Sequence, residues 1–184
     1  MGGIFALKVC VYAICKNESQ FVDRFMDSMS EADYVCVLDT GSSDDTVKKL
    51  RARGAIVGET VVSPWRFDTA RNESLGLIPA DADICCAIDL DEQFHPGWRA
   101  ALERAWQPDT TRARYRYTWS FRPDGSEGMV FWADKIHKNG CYRWASPVHE
   151  TLAYTGEGAE RFVDAAGVQL DHHPDETKSR GQYL

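Results

Sequence analysis

From its first ordinary apolar stretch, the chain alternates short continuous hydrophobic runs with segments whose apolar positions recur at helical spacing. Positions 7–14 are apolar and β-branched and read as a strand, whereas positions 19–29 set Phe21, Val22, Phe25, Met26 and Met29 on one helical face. Positions 34–38 give a second strand. Ser42, Ser43, Asp44 and Asp45 then open a helix reaching about Arg53, with hydroxyl caps and first-turn acids, and Gly54 stops it. Positions 55–62 predict a third strand and 68–77 a third helix. The run Ile84, Cys85, Cys86, Ala87, Ile88 predicts a fourth strand, ending abruptly in Asp89, Asp91 and Glu92. Such unalternating runs suit strands covered on both faces. Pro96 is placed like a first-turn proline for a helix ending near Trp106. Strand and helix units of this length imply a mostly parallel sheet with right-handed crossovers and helices on both faces.

After Pro108 the periodicity changes. Tyr115, Tyr117, Trp119 and Phe121 alternate with Arg114, Arg116, Thr118 and Ser120, the period-two signature of a strand with one apolar face. Pro123, Asp124 and Gly125 make a turn, so a hairpin returns through 129–132. Short strands at 141–144, 161–163 and 168–170 precede a polar helix from about Pro174. The second half is thus a smaller antiparallel section. No linker, repeat or low-complexity stretch separates the halves, so they are expected to share one core as a single α/β domain over 1–184, with parts 1–107 and 108–184.

Composition narrows the function classes. The 184 residues are 43% hydrophobic and 27% charged, ordinary for one globular domain. A formal charge of −7 argues against a sequence-independent nucleic-acid binder, which needs a basic footprint. The six cysteines contain no CxxC pair and four fall in apolar runs, so free buried thiols and a reducing, cytoplasmic location are expected. The N-terminus has no basic region ahead of its apolar stretch and reads as a strand rather than a signal peptide. No segment approaches the roughly 18 to 20 apolar residues that span a bilayer, which confines any expected membrane association to the periphery.

The candidate chemistry sits where strands end, because ligands of open α/β sheets collect at the carboxyl edge. Asp89 and Asp91 can offer oxygen ligands to a hard divalent cation. Electrostatics alone do not force a metal there, since two carboxylates about 5 Å apart repel by only about 1 to 3 kcal/mol. Asp39 ends the second strand in the same way, and the Gly41, Ser42, Ser43 turn after it can hold a ribose, a base edge or a phosphate. Arg71, early in the third helix, could reach a diphosphate, although by itself it reads as an exposed helix arginine. His149 with Glu150, and His172 with His173, are unusual polar pairs. Adjacent histidines on a strand point to opposite faces, so at most one of the second pair is a ligand. The oxygen-rich set favours Mg²⁺ or Mn²⁺ over zinc. The aromatics between Tyr115 and Trp144 read mostly as core, with one or two free to stack on a sugar ring.

Taken in order, Lys16-Asn17-Glu18, then Asp39-Thr40-Gly41-Ser42-Ser43-Asp44-Asp45-Thr46, Trp65 with Ala70-Arg71-Asn72, Asp89-Leu90-Asp91-Glu92 and Val148-His149-Glu150 form a combined pattern. It resembles the family-two glycosyltransferases of GT-A (Rossmann-like) fold, and its bacterial branch most closely. The resemblance implies an inverting transferase that takes a sugar from a nucleotide sugar, with UDP as the favoured nucleotide. By carry-over, Asp39 and Ser42 bind the uracil or ribose with Ala13, Cys15, Asn17 and Glu18 lining the same pocket. Arg71, Asp89 and Leu90 serve the nucleotide, diphosphate and sugar. Asp91 and His172 hold the Mn²⁺ or Mg²⁺, with Asp89, His173, His149 and Glu92 as further candidates. Glu150 is the catalytic base. The acceptor, whether glycan, lipid-linked sugar or peptide, stays open. Many such enzymes continue well past the point where this sequence ends, which implies either a catalytic core or a minimal transferase. Two rival readings are a nucleotide-sugar-binding module without transfer activity and a nucleotidyltransferase. The second expects a Gly-rich basic loop after the first strand, where Cys15-Lys16-Asn17-Glu18 stands instead.

Overall fold

The computed structural model describes residues 7–175. Strand β1 (Val9–Cys15) is buried along its whole length, which accounts for its unbroken apolar sequence. After α1 (Val22–Ser28), β2 (Tyr34–Asp39) runs parallel to β1. After α2 (Thr46–Ala52), β3 (Ile56–Glu59) adds to the outside of β2, and after α3 (Phe67–Leu75), β4 (Ile84–Ala87) pairs with the opposite side of β1. The remaining elements are β5 (Glu92–Phe94), α4 (Trp98–Ala105), β6 (Arg112–Thr118), β7 (Val130–Lys138), β8 (Tyr142–Ala145), β9 (Thr151–Tyr154) and β10 (Phe162–His172).

Eight strands form one sheet in the order β3-β2-β1-β4-β7-β6-β10-β5, and β8 pairs with β9 as a separate hairpin. The first four strands are all parallel, and β6 with β10 adds a fourth parallel ladder. The ladders of β7 with β4, β7 with β6, and β5 with β10 are antiparallel. Alternation along β1 sorts the core. Val9, Val11 and Ala13 pack with Phe25 of α1, Leu50 of α2 and Leu102 of α4. On the other face, Cys10 and Tyr12 meet Tyr142, Trp144 and Leu152 of the small hairpin, while Ile14 packs with Ala70 of α3. The predicted α/β architecture, with helices on both faces and a small antiparallel part, is the observed one.

Several boundaries differ from the sequence expectation. The third strand is four residues long rather than the predicted 55–62, because it sits at the sheet edge and pairs with β2 alone. The acidic end of the fourth strand is a turn between two strands. β4 stops at Ala87, the Glu92 N–H closes a turn on the Asp89 carbonyl at 3.0 Å, and Glu92 begins β5, opposite His172 of β10. Pro96 lies outside its helix, which starts at Trp98 after Gly97 takes a left-handed φ of 84°. The two short strands expected at 161–163 and 168–170 are parts of β10, with a register shift between Asp164 and Gln169. Most of the polar helix expected from Pro174 lies outside the described residues.

All six cysteines are unpaired and five are buried. No helix among the described residues is long and apolar enough to cross a membrane.

One buried polar chain ties β1, β7 and β8 together. The Trp144 indole N–H donates to the Tyr12 oxygen at 3.0 Å, and the Tyr12 hydroxyl donates to Nε2 of His137 at 2.8 Å. The Lys138 carbonyl can only accept, so the proton of a neutral His137 sits on Nδ1, 3.0 Å away. Burial pushes the imidazole down to a pKa of about 4, the Lys138 carbonyl offsetting this only in part. The sign follows directly. A folded value below the ordinary 6.5 means that the unfolded chain binds the proton first as pH falls, so stability is lost between pH 6.5 and 4. Between pH 7 and 5 this residue should remove about 2 kcal/mol of unfolding free energy. Urea titrations at both pH values should show that difference, and His137→Gln should shrink it.

Candidate active site

The loops after β1 and β2 are built against each other at the carboxyl edge of the sheet. Asp39, 2% exposed, accepts hydrogen bonds from the Gly41 and Ser42 amides at 3.0 and 2.8 Å and from the Ser42 hydroxyl. Gly41 takes a φ of 105°, a conformation that a side chain resists. The Ser42 hydroxyl also accepts the Asn17 amide at 2.8 Å, and the Asn17 side-chain oxygen accepts the Ser43 amide at 2.7 Å. The Glu18 amide donates to the Thr46 hydroxyl at 2.8 Å. Of the residues expected to line a nucleotide pocket, Asp39, Ser42, Asn17 and Glu18 come together here. The Cys15 thiol reaches Asp39 at 3.5 Å, and Ala13 is wholly inside the core.

On the other side of β1, the turn after β4 directs its four residues differently. Leu90 is fully buried, so its side chain belongs to the core. Glu92 is buried too, and its carboxylate accepts the Asp89 amide at 2.8 Å and the Tyr117 hydroxyl. Burial, and after it the charge of Asp89, raise the Glu92 pKa. Glu92 therefore braces the turn from within.

Arg71 is placed otherwise than an exposed helix arginine. It is 3% exposed and donates from Nη2 to Asp89 at 2.8 Å and from Nε to Glu150 at 2.8 Å. Its guanidinium also lies over the Trp144 ring, 5.1 Å from the centroid. Burial opposes the charge of Asp89, but Arg71 outweighs it and holds that carboxyl below the usual range. The arginine expected to meet a diphosphate is thus engaged with two carboxylates. One of these is the candidate base Glu150, whose Oε2 has no hydrogen-bond partner among the described residues. The loop carrying Glu150 is anchored to α3 twice. Phe67 N–H donates to the Pro147 carbonyl at 3.1 Å, and the Asn72 amide exchanges two hydrogen bonds with the Trp144 backbone at 2.8 and 2.9 Å. His149 in this loop is exposed and adopts a φ of 55°, with Ser146 at 77°. Both cost conformational energy that the anchors hold in place.

The two late histidines are placed differently, His172 ending β10 and His173 lying just past it. His172 Nε2 lies 3.2 Å from Asp91 Oδ2, while its Nδ1 contacts the Trp119 carbonyl at 3.0 Å. His173 stacks on Phe121 at 4.9 Å and 6°, and its backbone N–H donates to the Asp91 carbonyl. Because the Trp119 carbonyl only accepts, Nδ1 carries hydrogen and Nε2 faces a carboxylate. That contact is favourable only with a proton or a cation between the two. Burial opposes the proton, but Asp91 outweighs it and the imidazole pKa rises. The same arrangement, with the far nitrogen fixed by a carbonyl, is how metal-binding histidines are oriented.

Among the described residues no three His, Cys, Asp or Glu side chains converge as a metal site. The pair fits a hard divalent cation only if other ligands, such as phosphate oxygens and water, complete its shell. A cavity of about 330 Å³ opens beside the pair, lined also by Tyr117, Trp119, Phe131 and Lys135. Lys135, Tyr12 and His137 carry no motif signal in the sequence, and Asn72 lies in the Ala70-Arg71-Asn72 segment without any sign there of its bonds to Trp144. The alternation of Tyr117 and Trp119 places them on one face of a strand without telling which of the aromatics stays open to stack on a sugar.

No protein-family model matches the chain. The described architecture is the GT-A fold. The chain is similar to glucosyl-3-phosphoglycerate synthase from Mycobacterium tuberculosis, crystallised with Mn²⁺, UDP and glucosyl-3-phosphoglycerate. The TM-score is 0.50 at 26% identity, covering 61% of this chain and 44% of that one, so the match spans less than half of the synthase. A mycobacterial protein matches at a TM-score of 0.60 and 16% identity over 94% of this chain and 69% of that one. Mannosyl-3-phosphoglycerate synthase from Rubrobacter xylanophilus matches at 0.51 and 19% over 61% and 40%. The last two are likenesses of fold alone.

Removing the shared cation should be costly, because two carboxylates would be left facing one another. Arg71→Met should lower unfolding free energy by about 3 kcal/mol, the lower end for a broken buried pair, since the Asp89 side chain keeps 34% of its surface exposed. Arg71→Met,Glu150→Leu should recover part of that loss. Both differences can be read from urea midpoints at pH 7.

Proposed function

We propose that this chain is the catalytic part of a metal-dependent glycosyltransferase that moves a sugar from a UDP-sugar to an acceptor with inversion at the anomeric carbon. The observation that carries the reading is His172 Nε2 facing Asp91 at 3.2 Å with its other nitrogen fixed by Trp119. It is supported by the likeness to a synthase crystallised with Mn²⁺ and UDP. In this reading the uridine lies against the Asp39, Ser42 and Asn17 wall, and Asp91 and His172 hold Mn²⁺ or Mg²⁺ together with the diphosphate. The cation supplies charge neutralisation on the leaving diphosphate.

The remaining roles belong to the chain's own groups. Glu150, held through Oε1 by Arg71, uses its other oxygen to take the proton of the acceptor hydroxyl as that oxygen attacks. Arg71 holds the base and Asp89 on a single planar fork and so fixes their separation. The bond between Glu150 and Arg71 also favours a second reading, a nucleotide-sugar-binding module in which Glu150 is structural.

Two variants separate the readings. Calorimetry with UDP-glucose should show binding that strengthens with Mn²⁺, and Asp91→Ala should abolish the metal-dependent part. Glu150→Gln should keep that binding but lower UDP release by about 10²- to 10⁴-fold. Unchanged release would remove Glu150 as the base. Absence of Mn²⁺-dependent binding in the unmodified chain would remove the metal assignment.

A further inference from the structure

The cavity beside Asp91 and His172 has a second wall, made by the facing residues of β6 and β7. These strands are antiparallel neighbours with Tyr117 opposite Phe131, so alternate side chains of each share one face. Tyr117 is buried and meets Phe131 edge-on at 5.1 Å, and Trp119 stacks on His172 at 4.5 Å and 24°. Trp119 and Phe131 nevertheless keep 47% and 42% of their surface exposed while lining the cavity. An apolar wall with a few placed polar groups is the usual make-up of a small-molecule site.

Lys135 supplies the charge on that wall. It lines the cavity two residues beyond Ala133 on the same strand, and among the described residues it makes neither an ion pair nor a hydrogen bond. The three carboxylates that share the cavity have other partners at contact distance, Asp89 in Arg71, Glu92 in Tyr117 and the Asp89 amide, and Asp91 in His172. The charge of Lys135 is felt by Asp89 and Glu92 across the cavity, but no partner meets the ammonium at contact distance, so its three donors remain for an anion. The sheet order places β7 and β6 on the opposite side of β4 from β1 and β2, whose loops carry Asp39 and Asn17. An anion at Lys135 thus enters from the side away from the proposed nucleotide wall.

We propose that this wall is the acceptor subsite and that it takes a sugar bearing an anionic group, the ring lying on Trp119 and Phe131 and the carboxylate or phosphate on Lys135. The word acceptor rests on the glycosyltransferase reading; the binding preference does not. Saturation-transfer NMR without donor, using glucose, glucuronate and glucose 6-phosphate, tests it. The two charged sugars should bind about tenfold or more tightly than glucose, as one charge-assisted contact allows. The stronger of the two identifies the anion as carboxylate or phosphate.

Lys135→Met should abolish the preference, Lys135→Arg should keep it, and Trp119→Ala should weaken all three sugars alike. UDP binding with Mn²⁺, measured by calorimetry, should be unchanged in Lys135→Met. Equal affinities, no binding of any of the three sugars, or a preference surviving in Lys135→Met overturns the proposal. Loss of UDP binding in Lys135→Met overturns it as well, by putting the ammonium on the donor side. If the unmodified chain fails to bind UDP yet prefers charged sugars, the donor reading falls and the anionic subsite stands.

Discussion

Arg71 is a full positive charge in the interior, and the geometry around it follows from the need to satisfy that charge. Asp89 arrives from the turn after β4 and Glu150 from the loop between β8 and β9, each on one edge of the guanidinium. Trp144 closes its face. Desolvating a cation costs several kcal/mol unless partners of good geometry replace the water, and here the three partners come from two distant parts of the chain, the turn after β4 and the small hairpin. The small hairpin is therefore docked to α3 by polar bonds as well as by its apolar residues. The side of α3 that is buried contains Asp68, Arg71 and Ser74 beside Ala70, an unusual face for a helix to hide.

That polar face explains where sequence reasoning worked and where it stopped. The strands of the parallel half are legible because burial on both faces leaves nothing but apolar residues, as in β1 and β4. Asp39 and Asp89 are legible for the complementary reason, as charges placed where such a run ends. Helix α3 is not legible in the same way, since its buried side carries groups that ordinarily mark solvent. The burial of Arg71 depends on Glu150, which is 79 residues distant and invisible from its neighbours. By sequence Glu92 belongs with the acidic end of a strand. Its burial comes from a three-residue strand whose partner, β10, lies near the far end of the chain. The pair His172 and His173 stands out in the sequence, but only the structure shows the His172 ring turned to Asp91 and the His173 ring stacked on Phe121.

The two halves of the sheet also divide the chemistry. The parallel half ends in loops whose acids and hydroxyls are paired with backbone amides, while the mixed half ends in exposed aromatics around Lys135. The boundary between them is the ladder of β4 with β7, where the sheet first turns antiparallel. The acidic turn sits at that boundary, and Asp91 meets His172 there from an element encoded 81 residues later in sequence, as their numbering shows.

The interlocked loops after β1 and β2 have a thermodynamic meaning apart from their shape. Asn17 with Ser42 and Ser43, and Glu18 with Thr46, tie the two loops together without help from any other molecule. Whatever settles against that wall meets a surface whose ordering was completed when the chain folded, so association carries little entropy loss from these residues. Selectivity at such a rigid wall comes from rejection. A molecule of the wrong outline finds no loop able to move aside, and discrimination becomes a property of the folded state itself.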